Sequence, residues 1–348
     1  AYNKQMKNFP LIGLGIATKG TAGHSLDTFF PCISFKNDED EYSQYYDKWN
    51  ALMTGNVNAI KDASQLNLKN EGLNNVISNL NANKTLVLCR ISENLPIESV
   101  EEAYLKLHLI SYKYFAPNSL NLENLFDFLV NLAWTNQGPI ELDEIDEKIL
   151  ASQKNNQSLE IKSIDKFPRL TDYIIPPGVR IGDASRVRLG AYLSEGTTVM
   201  HEGFVNFNAG TLGSAMIEGR ISAGVVVGEN SDLGGGCSTM GTLSGGNDVK
   251  ISIGENCLLG ANSGLGIPLG NNCIIEAGLY ITGGSKITLY SSNNEPGSVV
   301  KASELAGQDN LLFIRNSQSG AIEAKINPKS VTVSYTHLRA HETVDSLV

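Results

Sequence analysis

The chain has 348 residues, 41% of them hydrophobic, and a formal net charge of −10 at pH 7. That length exceeds one ordinary domain, and that charge argues against a nucleic-acid partner, whose phosphates call for a basic face. No run approaches the roughly 18 consecutive apolar residues of a membrane span, and the first residues do not set an apolar stretch behind a basic one, so a cytoplasmic protein without membrane contact is expected.

Residues 1–165 read as an N-terminal α/β domain. Gly13-Leu-Gly15 has half the spacing of a dinucleotide fingerprint, but the later glycines fall wrongly and no Gly-Lys-Ser/Thr follows Gly20. A turn-rich strand end is expected there. Thr85–Arg90 is a short apolar run and reads as a buried strand. Ser99 and Glu102 have capping-box spacing. Val100, Ala103, Tyr104, Leu107, Ile110 and Tyr114 then recur at helical intervals until Pro117. Leu122, Leu125, Phe126, Leu129, Leu132 and Ala133 predict a second helix that stops before Gly138-Pro139. The polar stretch Ser152–Ser158 reads as the linker region. Five cysteines, Cys32, Cys89, Cys237, Cys257 and Cys273, form no C-x-x-C and sit in apolar or glycine-rich surroundings, as reduced, packed thiols do.

Residues 170–290 change character. Glycine becomes dense and aliphatic residues recur at every sixth position: Ile175, Ile181, Val187, Leu193, Val199 and Val205; Ile221, Val227 and Leu233; Ile253, Leu259 and Leu265; Leu269, Ile275, Ile281 and Ile287. This is the hexapeptide signature of a parallel β-helix. Each short strand sends one aliphatic side chain inward, and about three strands close a coil. Each such side chain contributes about 1.5–3 kcal/mol on burial, so the array is stable only as a stack. The count breaks between Val205 and Ile221, between Leu233 and Ile253, and between Leu265 and Leu269. Loops on a rigid scaffold carry function, so chemistry is expected at the breaks. Residues 297–334 read as a C-terminal β-hairpin, Leu311–Arg315 against Ala321–Ile326, capping the open end of the β-helix. Residues 335–348 continue neither pattern and are set aside as a non-native tail.

Three segments at the breaks stand out: Glu218-Gly-Arg-Ile-Ser-Ala-Gly-Val-Val-Val-Gly228, Gly234-Gly-Gly-Cys-Ser-Thr-Met-Gly-Thr-Leu-Ser-Gly-Gly246 and Leu258-Leu-Gly-Ala-Asn-Ser-Gly-Leu-Gly-Ile267. Together they resemble the tetrahydrodipicolinate N-succinyltransferase family, in the form typified by actinobacterial enzymes, from about Pro176 to Val333.

The resemblance implies a left-handed β-helix and a homotrimer with active sites between subunits. It implies transfer of succinyl from succinyl-CoA to the amine of a ring-opened dicarboxylate, on the route to diaminopimelate and lysine. The family's catalytic carboxylate falls on Glu218, as nucleophile or general base, and a backbone N–H suited to the thioester oxyanion falls on Gly241. Acyl-CoA contacts carry over onto Arg220, Gly235, Ser238, Ala261, Glu276, Ala277, Gly284, Lys301 and the run Ile314, Arg315, Asn316 and Ser317. Lys301 and Arg315 suit CoA phosphates, and Arg220 suits a carboxylate. The family's divalent cation (Mg2+) would use Glu202 and an aspartate. The aspartate position is Ser185 here, with Asp183 two residues earlier, which weakens that site.

Other functions fit a β-helix. One is an acyltransferase for serine or an amino-sugar, for which His201, the only histidine in the coils, is the residue to test. A metal-dependent hydratase would want about three histidine ligands. A non-enzymatic scaffold has no need of Glu218, Arg220 and the glycine-rich breaks.

Overall fold

The computed structural model describes residues 7–39, 42–243, 249–291 and 293–327. The chain divides into two compact units. One comprises Ala1–Pro176 with Ala184–Tyr192 and Asn206–Asn208; the other comprises Pro177–Asp183, Leu193–Val205 and Ala209–Val348. Among the described residues no helix is long and apolar enough to cross a membrane.

The first unit is built on a four-stranded antiparallel sheet in the order Ser25–Phe35, Leu11–Lys19, Lys84–Ile91, Val57–Ile60. The run at Thr85–Arg90 is an inner strand of this sheet, with Leu86, Val87, Leu88 and Cys89 all buried. Gly13 and Gly15 lie in the middle of their strand and not at its end. A Cβ on Gly13 would come within 2.7 Å of Phe30 Cδ1 and 2.8 Å of Leu105 Cδ1. The missing side chains therefore let Phe30 and a helix close onto the sheet, which is a packing role. That helix is Val100–Ser111. Ser99 Oγ accepts the Glu102 N–H at 3.0 Å, while the Glu102 carboxylate reaches one residue further, to the Glu98 N–H at 3.0 Å. It ends before Tyr114, because Lys113 takes the left-handed conformation with φ 63°.

The predicted second helix is a correction. Only Leu125–Phe128 is helical; Leu132–Thr135 is a strand between Gly138–Glu141 and Ile161–Asp165. Four consecutive residues, Leu132, Ala133, Trp134 and Thr135, are buried. A strand packed on both faces gives such a run, and over so few residues it cannot be told from a helical face by periodicity. Ser152–Ser158 is likewise no linker between domains. Helix Ile145–Lys154 ends within it, and Ile161–Asp165 returns to the same small sheet.

The second unit is a parallel β-helix with three faces. The first face stacks Arg180–Ile181, Thr198–Val199, Ala215–Ile217, Ser231–Leu233, Leu258–Leu259, Ile274–Ile275 and Leu311–Arg315. The second stacks Phe204–Val205, Arg220–Ile221, Ser238–Thr239, Gly264–Gly266 and Tyr280–Thr282. The third includes Ala209–Thr211, Val226–Val227 and Ser252–Ile253. The hexad residues from Val199 to Ile287 form the inner column, each at most 3% exposed. Ile175, counted with them from spacing, is instead 77% exposed. Asparagines turn the corner from the third face to the first. Asn230, Asn256, Asn272 and Asn310 have φ of 58°, 56°, 56° and 61°, a region that asparagine enters more readily than other side chains with a Cβ. Leu311–Arg315 pairs antiparallel with Ile322–Ile326 and parallel with Ile274–Ile275, so the terminal hairpin extends the first face. The remainder of that segment, 328–334, and the tail 335–348 lie outside the described residues.

Candidate active site

The breaks in the hexad count are narrower than spacing suggested. Thr211 and Thr239 occupy inner positions, 0% and 2% exposed, between the aliphatic ones. Thr211 Oγ1 meets Thr197 Oγ1 at 2.6 Å, and Thr239 Oγ1 donates to the Arg220 carbonyl at 3.0 Å. Satisfied threonines thus fill places that an aliphatic pattern skips. With Thr211 and Ile217 restored, the first break shrinks to the step from Ile217 to Ile221. At this edge, between the first and second faces, the other coils use five intervening residues. Here the turn is only Glu218-Gly219-Arg220.

Gly219 makes this tight turn possible. A Cβ there would come within 2.2 Å of Cys237 Sγ and 2.7 Å of the Cys237 carbonyl oxygen on the next coil. Gly219→Ala is therefore expected to destabilise the fold by about 1–3 kcal/mol in urea unfolding. Gly235→Ala is the control: its Cβ has only Glu218 Oε2 near it, at 3.5 Å. It should unfold like the native protein while placing a methyl group on the carboxylate. Equal stability of the two variants would refute this account of the turn.

Backbone hydrogen bonds stack one position of this edge into a column: Gly182, Met200, Glu218, Gly234, Gly260, Glu276 and Ile314. Two carboxylates thus stand three coils apart, roughly 14 Å at about 4.8 Å per coil, with only glycines between them. Cβ atoms on Gly234 and Gly260 would lie 2.8 Å from the Leu259 oxygen and 2.4 Å from the Ala277 nitrogen, so bare backbone floors the interval. Gly235, Ala261, Ala277 and Arg315 follow one place on. Arg315 donates its N–H to Glu276 Oε2 at 2.7 Å, and its guanidinium donates to the Gly320 carbonyl at 3.1 Å. Asn316 is committed to the hairpin: it accepts from the N–H groups of Gln318 and Ser319 at 3.0 Å and donates to Glu323 at 2.8 Å. Ser317 is exposed in the same turn. Arg220 opens the second face opposite Ser238, is exposed, and makes no ion pair among the described residues.

Asp232 escaped the sequence reading. It stands on the outward row of the first face between Met216 and Leu258. Both of its neighbours in that row are apolar, but they are 16 and 26 positions away in the chain. Burial by those neighbours, with the negative Glu218 nearby, raises its pKa to about 6. The unfolded chain ionises near 3.8, so the folded form binds the extra proton between about 4 and about 6. Native stability should therefore fall relative to Asp232→Asn across that window. The variant should be more stable by about 1 kcal/mol at pH 7.5 after allowing for solvent screening, and by less at pH 4. Urea unfolding at both pH values reads this out, and an equal difference at both would contradict it. The same surroundings push the Cys237 thiol up to about 12. All five cysteines are buried and none forms a disulfide, in keeping with packed thiols.

The second edge, where the second face meets the third, holds the other candidates. After Thr239 the chain leaves the coil and returns through a bridge between Thr242 and Lys250. Residues 244–248 of this excursion, which include Gly245 and Gly246, lie outside the described residues. At its root the Gly241 N–H donates no hydrogen bond among the described residues, whereas its carbonyl accepts from Ile251 at 3.3 Å. Gly284 has open space where a Cβ would be. Lys301 stands opposite Lys286 on neighbouring strands. Both are exposed and without an ion pair among the described residues, an unfavourable juxtaposition unless an anion joins them. The approach of Lys286 to Lys301 was not legible in the sequence, because only the antiparallel register brings them together.

One chain does not bring Glu218 and Gly241 together. They stand at opposite ends of the second face, roughly 15 Å apart at about 3.3 Å per residue. Glu202 is exposed on the corner that leads to Phe204–Val205, and no three His, Cys, Asp or Glu side chains converge as a metal group among the described residues.

A parallel β-helix whose bare-backbone edge is bounded by carboxylates fits the hexapeptide-repeat acyltransferase class. Residues 250–283 match a family model described as the hexapeptide repeat of succinyl-transferase, and residues 129–169 match one described as the middle part of tetrahydrodipicolinate N-succinyltransferase. Proteins named 2,3,4,5-tetrahydropyridine-2,6-dicarboxylate N-succinyltransferase are similar along most of their length. The Pseudomonas aeruginosa protein is 57% identical over 74% of this chain and 75% of its own, and the Vibrio cholerae protein 52% identical over 73% and 74%. A solved Campylobacter jejuni structure, described as a 2,3,4,5-tetrahydropyridine-2-carboxylate N-succinyltransferase, superposes with a TM-score of 0.83. It is 34% identical and is covered to 95%, against 94% of this chain. The chain belongs to the 2,3,4,5-tetrahydropyridine-2,6-dicarboxylate N-succinyltransferase family.

Proposed function

We propose that this chain moves the succinyl group of succinyl-CoA to the amine of ring-opened tetrahydrodipicolinate, toward diaminopimelate and lysine, in the cytoplasm. The working form is a homotrimer of left-handed β-helices. The observation that carries the assembly is the separation of Glu218 from Gly241 along one face. The reaction needs both at one thioester, so the first edge of one copy faces the second edge of the next. The same division sorts the acyl-CoA contacts. Gly235, Ala261, Glu276, Ala277, Ile314 and Arg315 lie along the first edge; Gly284 and Lys301 lie at the second.

Glu218 takes a proton from the substrate ammonium, and the freed amine attacks the thioester carbonyl. The Gly241 N–H of the neighbouring copy donates to the oxyanion as the C–N bond forms. Collapse breaks the C–S bond and releases CoA thiolate, which is protonated as the amide is completed. Arg220 pairs with a carboxylate of the acceptor or the succinyl group. Lys301, joined by Lys286, meets the CoA phosphates. A divalent cation at Glu202 would need carboxylates from several copies, and no step is assigned to one.

The test is thiol release from succinyl-CoA with and without tetrahydrodipicolinate, for the native chain, Glu218→Gln and His201→Ala, with acetyl-CoA and serine alongside. Acceptor-dependent release that survives His201→Ala and is lost in Glu218→Gln supports the assignment. Release only with acetyl-CoA and serine, or loss only in His201→Ala, sinks it. A succinylated enzyme seen by mass when the acceptor is withheld would make Glu218 the nucleophile instead.

A further inference from the structure

The first unit holds a cavity of about 320 Å³ that the transfer reaction does not use. Its floor is one face of the four-stranded sheet. Thr18 stands opposite Asp27 on one neighbouring strand and opposite Lys84 on the other; two residues back, Ile16 stands opposite Phe29. Trp134, from the small sheet, and Tyr173 complete the walls.

Asp27 is only 5% exposed. It accepts from the Tyr173 hydroxyl at 2.5 Å and the Thr18 N–H at 3.3 Å, both neutral donors. Among the described residues no Lys, Arg or His forms an ion pair with it. Lys84 donates to Thr18 Oγ1 at 2.5 Å and likewise has no carboxylate partner. Asp172, also on the lining, is already paired with Arg169, at 2.5 and 3.1 Å. A buried carboxylate without a counter-cation is unfavourable and attracts one. Aromatic faces beside it favour an ammonium. A cation on the other side of Thr18 then asks for an anion on the same small molecule.

We propose that this cavity binds a free α-amino acid with an apolar side chain. Its ammonium pairs with Asp27 against the aromatic walls, its carboxylate pairs with Lys84, and its side chain lies on Ile16, Phe29 and Trp134. The volume suits a molecule of that size. An amine alone would leave Lys84 unanswered, and an acid alone would leave Asp27 unanswered.

Saturation-transfer NMR and calorimetry on the full chain test this with L-leucine, L-phenylalanine, L-lysine, isoamylamine and N-acetyl-leucine. L-leucine or L-phenylalanine should bind, with the two analogues lacking one charge at least about tenfold weaker. Lys84→Met, which keeps the aliphatic stem at a partly exposed strand end, and Asp27→Asn should each weaken binding by about tenfold or more while far-ultraviolet circular dichroism stays native. No binding of either apolar amino acid at about 10 mM overturns the proposal. So does binding that is unchanged in Lys84→Met, binding of N-acetyl-leucine as tight as leucine, or a clear preference for lysine. Glu218→Gln should bind the same ligands, which separates this result from the fate of the transferase assignment.

Discussion

Glu218→Gln is expected to lower kcat for succinyl transfer by about 10²–10⁴-fold, the usual worth of a positioned general base, or about 3–5 kcal/mol of barrier. The substitution is nearly isosteric, and the edge that holds it is set by backbone: the Glu218 N–H donates to the Leu233 carbonyl at 2.8 Å. Coil geometry should therefore survive, and KM for succinyl-CoA should change by no more than a few fold. Gly235→Ala, which crowds the same carboxylate, should reduce kcat less than Glu218→Gln does. A Glu218→Gln enzyme with near-native kcat would remove the carboxylate from the mechanism. A rise in KM with kcat unchanged would recast it as a binding group.

The second large effect is a rescue. Gly241→Pro removes the backbone N–H at the second edge and should itself lower kcat by about 10²–10³-fold. If each site takes Glu218 from one copy and Gly241 from the next, two dead proteins can make a live site. A trimer containing both variants has one interface of about three at which both groups are native, whichever variant is in the majority. Co-expression with two different tags and purification through both should recover about a third of native activity. Mixed trimers as inactive as either parent would refute a site shared between copies. Retained far-ultraviolet circular dichroism for Gly241→Pro is the control for folding.

These two experiments rest on different layers of information. The aliphatic hexads from Val199 to Ile287 were legible as a β-helix because each coil repeats one burial requirement, and repetition survives in one dimension. The tight edge was legible as a break in that repetition, and Glu218, Arg220 and Gly241 took their proposed roles from the family resemblance of the motifs around the breaks. The exact break was not, because Thr211 and Thr239 fill inner positions with hydroxyls whose hydrogen bonds only the folded coils supply. Asp232 was missed for a related reason: its raised pKa arises from Met216 and Leu258 on adjacent coils, distant in sequence. The false second helix at Leu122–Ala133 and the false linker at Ser152–Ser158 fell where short apolar or polar runs serve several structures equally.

By itself, then, the sequence determined the repeat, the class of chemistry and the residues at the edges, since each depends on local spacing or residue type. Only the tertiary structure decided which of those residues are neighbours. It set Glu218 and Gly241 at opposite ends of one face, paired Lys286 with Lys301, and placed Asp27 and Lys84 on either side of Thr18. Strand register brings together residues tens of positions apart, and no local pattern in the chain encodes that register.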